Sequence, residues 1–221
     1  MSVDARSDPG AGAHVEALAF DWGGVFTVGT FDGRAVEALA NLLARTQDEV
    51  AQVYYPLMER FEVGEFDLSG FQQRLTAGLR ASVDADAFRE AFLGAPLERR
   101  AMYELVAHLP ETYAVAMLSN NVPELCDRVR SDPRLTRIEA FVFSNEIGVR
   151  KPDAHAFAAL SEALGSPPET TVFIDDNARN VEACQDLGFQ GMLLDTPAGF
   201  AERWRTLLPN LAALVSGPAW D

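Results

Sequence analysis

Residues 14–21, HVEALAFD, form a nearly continuous apolar run that ends in an acid. A run of this kind fits a strand buried on both faces, the signature of a parallel sheet covered by helices. Three further runs repeat the pattern, Tyr113 to Ser119 (YAVAMLS), Thr171 to Asp175 (TVFID) and Phe189 to Leu194 (FQGMLL), with a shorter candidate at Phe141 to Ser144. Helical stretches lie between them: PLERRAMYELVAHL from Pro96, PELCDRVR from Pro123, PDAHAFAALSEAL from Pro152 and ARNVEACQDL from Ala178. Alternation of strand and helix predicts a doubly wound α/β domain, a Rossmann-like core around a parallel sheet.

Between about residues 31 and 94 the buried-strand rhythm stops and the apolar spacing becomes helical. Val50, Val53, Tyr54, Leu57 and Phe61 make one stripe, preceded by a capping box of Thr46 and Glu49. Val36, Leu39, Ala40 and Leu43 make a second, and Leu68, Phe71, Leu75 and Leu79 a third. The expected organisation is therefore a loose Pro/Gly-containing tail over 1–13, an α/β core over 14–30 and 95–221, and a helical bundle inserted over 31–94. A length of 221 residues suits one domain carrying such an insertion.

Charge and cysteine content narrow the partners. A net charge of −15 sets up a field that repels phosphate backbones and anionic lipid, so neither nucleic acid nor a membrane is expected as a partner. The first residues lack the basic-then-apolar pattern of a signal, and no 18-residue apolar stretch occurs. Cys126 and Cys184 fit no metal-ligand spacing, which reads most simply as a reduced, cytoplasmic protein. Monomer and homodimer both stay open.

In open α/β sheets, ligands collect at the carboxyl ends of the strands. Four polar motifs fall there. Strand one ends FDWGGVF, with Asp21 at its tip before Gly23 and Gly24. Strand two ends LSNN, placing Ser119, Asn120 and Asn121. Lys151 stands in RKPD, where a cation at a helix start opposes the dipole and calls for an anion nearby. FIDDNARN brings adjacent carboxylates, Asp175 and Asp176, which repel unless a cation neutralises them. Each motif alone also reads blandly, as a tight turn, a helix cap, a solvated lysine and a capping acid.

In this order, acid, hydroxyl, lysine, acid pair, the constellation resembles the haloacid dehalogenase-like hydrolase superfamily, and the inserted bundle looks like the helical cap that one subgroup places after the first motif. The resemblance covers nearly all of the chain after residue 14. It implies that Asp21 is a nucleophile forming an aspartyl-phosphate and that Asp21, the Gly23 carbonyl and Asp175 hold Mg²⁺ with Asp176 nearby. It implies further that Ser119, Asn120 and Lys151 bind the phosphoryl group of a small phosphorylated metabolite, with Asp21, Ser119 and Lys151 as the catalytic set. Most phosphatases of the family carry a second aspartate two residues after the nucleophile, as general acid and base. Here that position is Gly23, so good leaving groups are expected to be favoured. Two other readings stand beside this one: a catalytically weak member with a binding or regulatory role, and a metal-independent 2-haloacid dehalogenase in which Asp21 attacks carbon. Tyr54, Arg60 and Glu62 are the candidates in the inserted bundle for setting specificity.

Overall fold

The structure, a computed structural model, describes residues 14–94 and 96–220. The tail expected over 1–13 lies outside them. Five parallel strands, β1 (Ala17–Phe20), β2 (Ala114–Ser119), β3 (Ala140–Phe143), β4 (Thr171–Asp175) and β5 (Gln190–Leu193), form one sheet in the order β3-β2-β1-β4-β5. The chain winds from β1 outward to β3, then crosses back to the other side of β1, so the topological switch lies between β1 and β4.

Side chains alternate across the strands as a two-sided sheet requires. Leu18, Phe20, Val115, Met117, Val172 and Ile174 pack on one face. There they meet helices α5 (Arg100–Ala107), α6 (Pro123–Arg130) and α10 (Pro197–Leu207). Ala19, Ala116, Leu118 and Phe173 pack on the other face with α8 (Ala154–Leu164) and α9 (Ala178–Asp186), through Phe157, Leu160 and Cys184. Burial on both faces explains why each strand reads as an unbroken apolar run. Both cysteines are free and buried. Among the described residues no helix is long and apolar enough to cross a membrane.

Four helices, α1 (Phe31–Leu43), α2 (Gln47–Phe61), α3 (Leu68–Leu79) and α4 (Ala85–Leu93), fill the span between β1 and α5. They share an aromatic core: Phe61 and Phe71 lie 5.1 Å apart, Phe71 and Phe92 5.2 Å, and Phe31 and Phe92 5.3 Å. Thr46 and Glu49 form the expected capping box at the start of α2.

Two local expectations shift. The helix expected from Pro96 begins at Arg100, because Leu97 and Glu98 instead pair with the chain leaving β1: Val28 N–H donates to Leu97 O at 2.7 Å and Thr27 bridges Glu98 antiparallel. The expected strand at Phe141 to Ser144 ends at Phe143, and Ser144 opens the single-turn helix α7 (Ser144–Ile147).

Candidate active site

Parallel register brings the first and last acidic motifs level. Phe20 pairs with Ile174, so Asp21 and Asp175, each next in its chain, emerge side by side at the switch point, and Asp21 N–H donates to Ile174 O at 2.8 Å. Lys151 reaches in from the loop before α8. Its ammonium, 1% exposed, lies 2.9 Å from Asp21 Oδ1 and 2.7 Å from Asp175 Oδ2. Asn180 Nδ2 donates to the same Asp175 oxygen at 3.0 Å, and Asn177 N–H to its Oδ1 at 2.8 Å. Asp175 is thereby fixed by its own helix start.

The charges at this point do not balance. Asp21, Asp175 and Asp176 can each turn a carboxylate oxygen to within 4.8 Å of the others, facing one ammonium. Burial first, and then Asp175, push Asp21 up to about 7 against the opposing pull of Lys151. Asp176 is pushed up to about 6 by burial and by Asp175. Burial works against the charge on Lys151, yet the two carboxylates beside it hold its pKa above the ordinary lysine value. Three oxygen donors in excess over one cation make a set that a hard divalent ion suits.

The loop after Asp21 depends on one of its two glycines. Gly24 sits at φ +72°, and a Cβ there would come within 1.9 Å of the Asp176 carboxylate. Its N–H donates to Thr27 Oγ1 at 2.8 Å, and Arg99 donates to the carbonyls of Gly24 and Val25. Gly23 has ordinary backbone and open space where a Cβ would stand. Gly24→Ala is therefore expected to lose about 1–2 kcal/mol from the left-handed backbone alone, with displacement of Asp176 added. Gly23→Ala is expected to stay within about 0.5 kcal/mol of the parent. Urea unfolding midpoints for the two variants check this, and equal losses would remove the distinction.

Ser119, at the tip of β2, is 1% exposed and lines the pocket between the sheet and the helices of the insertion. The Asn120 side chain is spent on scaffolding: Lys151 N–H donates to its Oδ1 at 2.8 Å, and its Nδ2 donates to Lys151 O at 3.0 Å. Asn121 ties the loop after β2 to the start of α7 by donating its N–H to Ser144 Oγ. The structure thus gathers Asp21, Gly23, Ser119, Asn120, Lys151 and Asp176 around one pocket, with Asp175 directly behind.

The outer wall was less foreseeable. Of three candidates in the insertion, Glu62 lines the pocket, while Tyr54 is buried among the aromatic rings with its hydroxyl donating to Asp32 Oδ1 at 2.7 Å. Arg60 is exposed and pairs with Glu65. Asp32, Met58 and Arg150 also line the pocket. Arg150 was within reach of sequence reasoning, as the neighbour of Lys151; Asp32 gave no signal, because an acid in the first turn of a helix is ordinary.

A family model for the haloacid dehalogenase-like hydrolases matches residues 15–188. The chain belongs to that family. Among solved structures, a HAD-like family hydrolase from Porphyromonas gingivalis superposes with a TM-score of 0.72 at 22% identity, covering 93% of this chain and 100% of that one. A HAD family enzyme from Bacteroides thetaiotaomicron, solved with magnesium and inorganic phosphate, gives 0.70 at 23% identity over 81% and 93%. D-ribitol-5-phosphate phosphatase, also from Bacteroides thetaiotaomicron, is 22% identical over 205 residues, 88% of this chain and 98% of that protein.

Proposed function

We propose that this hydrolase is a Mg²⁺-dependent phosphatase acting on a small phosphorylated metabolite through an aspartyl-phosphate on Asp21. One observation carries the reading: a buried carboxylate at the switch point is held 2.9 Å from a buried ammonium, beside two further carboxylates. Those carboxylates fit Mg²⁺ in donor chemistry, and Asp21, the Gly23 carbonyl and Asp175 would hold it, with Asp176 nearby. When bound, the ion would offset the charge of an incoming phosphate and of the acids around it.

The chain's own groups divide the remaining work. Asp21 attacks phosphorus in line, and water later releases the phosphate. Lys151 keeps Asp21 aimed and adds positive charge where phosphoryl oxygens lie, and the Ser119 hydroxyl binds one of them. Asn120 acts on the phosphate indirectly, by fixing the Lys151 backbone. We read helices α1–α4, the insertion over 31–94, as the cap that closes the site on the core formed by 14–30 and 95–221. The pocket, about 140 Å³, falls below the roughly 300–1,000 Å³ of drug-sized sites, which suits a short substrate. The ribitol phosphate named for the relative above is of that size and polarity. With Gly23 in place of an acid, aryl, acyl and anomeric phosphates are favoured over alkyl ones to the extent that no other group delivers a proton.

A phosphate-release screen over sugar, polyol and aryl phosphates, with Mg²⁺ and with chelator, tests the function. Metal-dependent release supports it. Metal-independent release of halide from a 2-haloacid, with no phosphate released, would favour attack on carbon instead. Asp175→Ala is expected to weaken Mg²⁺ binding by at least the about 10- to 100-fold that loss of a supporting partner produces. Calorimetric titration measures it, and unchanged affinity would take Asp175 out of the metal set.

A further inference from the structure

We propose that Glu62, at the end of α2, is the catalytic acid and base that Gly23 does not provide. Given the phosphatase reading, three observations place it there. Glu62 is 5% exposed and lines the same pocket as Asp21, from the helical wall rather than from the sheet. In an in-line displacement the leaving oxygen departs on the side of phosphorus opposite Asp21, away from the sheet and toward that wall. Finally, Glu62 Oε2 is buried and makes no hydrogen bond, although it stands in an ion pair with Arg150 Nε at 2.9 Å. A buried carboxyl oxygen held by an ion pair alone keeps hydrogen-bonding capacity for a ligand in the pocket beside it.

The surroundings keep this carboxyl protonated. Burial raises it most, Asp32 from α1 raises it further, and Asp21 adds to both, while Arg150 and Lys151 pull the other way; the result is about 8. On its own helix, Tyr54 donates its hydroxyl to Asp32, and Glu59 stands 3.4 Å from Arg150. In the first half-reaction the Asp21–phosphorus bond forms, the bond from phosphorus to the leaving oxygen breaks, and the Glu62 proton passes to that oxygen. The second half-reaction runs in reverse: the Glu62 carboxylate takes a proton from the attacking water as a new phosphorus–oxygen bond forms and the bond to Asp21 breaks. Glu62 ends as it began, and the sum is hydrolysis of one ester.

The experiment compares wild type, Glu62→Gln, and Glu62→Gln combined with Gly23→Asp on an alkyl phosphate and on p-nitrophenyl phosphate, with Mg²⁺ present. Acid catalysis is worth about 10²–10⁴-fold, so Glu62→Gln is expected to lose that much kcat/KM on the alkyl ester and less than about threefold kcat/KM on the aryl ester, whose leaving group needs no proton, while kcat on both falls through the shared hydrolysis of the aspartyl-phosphate. The wild-type profile on the alkyl ester should fall above pH about 8, and that limb should vanish in Glu62→Gln. Gly23→Asp, whose Cβ would meet nothing within 4 Å, should return alkyl activity to the Gln variant. Equal losses of kcat/KM on both esters, with the pH limb retained, would make Glu62 a structural anchor of Arg150 and overturn the proposal while leaving the phosphatase intact. No phosphate release by the wild type from either ester would remove the phosphatase reading, and this proposal with it.

Discussion

Asp21→Asn is expected to lose kcat on the order of 10⁴-fold or more, because the side chain that would carry the phosphoryl group becomes a poor nucleophile, while its shape and its place beside Lys151 stay. The fold should not suffer. Asp21 is one of three carboxylates crowded against one ammonium, and an amide there removes one negative charge from the crowd. Thermal unfolding in metal-free buffer should therefore show a midpoint no lower than the wild type's. Retention of more than a few per cent of the wild-type rate would end the covalent mechanism, and a sharp drop in midpoint would mean that the Asp21–Lys151 pair holds the fold together.

Lys151→Met should do the opposite. The ammonium is buried between Asp21 and Asp175, so its removal leaves two carboxylates uncompensated in the interior, a change that destabilises by about 3–5 kcal/mol. Lys151 draws Asp21 down to about 7 against its burial, so without the ammonium that carboxyl stays protonated to higher pH, and its cost, equal in the two proteins below about 7, becomes larger in the variant above it. The variant's deficit should accordingly shrink as pH falls from 8 to 5, and added Mg²⁺ should recover part of it at pH 8. Urea titrations with chelator and with Mg²⁺ at both pH values measure this. A deficit under about 1 kcal/mol at pH 8 would show that water reaches the pair and screens it.

The core was legible because burial on both faces leaves a plain record: Ala17–Phe20 and Thr171–Asp175 have almost nothing polar until their last residue. The tip residues were legible for the same reason, since a lone acid or hydroxyl after such a run has one place to be. Asn120 shows the limit. Its position beside Ser119 suggests a backbone N–H for the phosphate, whereas the way its side-chain amide turns is decided by a loop 31 residues away. The two glycines look alike in FDWGGVF, and only the left-handed backbone at Gly24 and the approach of Asp176 to it separate the replaceable Gly23 from the required Gly24. Asp32 was hardest, and the pairing of Glu62 with Arg150 was hidden too, because the wall they form joins segments 88 positions apart and neither segment carries a strand tip to mark it.

The chain leaves the sheet and returns to it at a single seam. Thr27 pairs with Glu98, Val28 with Leu97, and Arg99 N–H donates to Phe26 O at 2.8 Å. With those ends already joined, a turn of a few residues would close the circuit, and everything between them is a detour that places little demand on the path of the core. Helices α1–α4 are in that sense a cassette: related chains can trade this piece, and with it the wall that meets the substrate, without redrawing the sheet that carries the nucleophile.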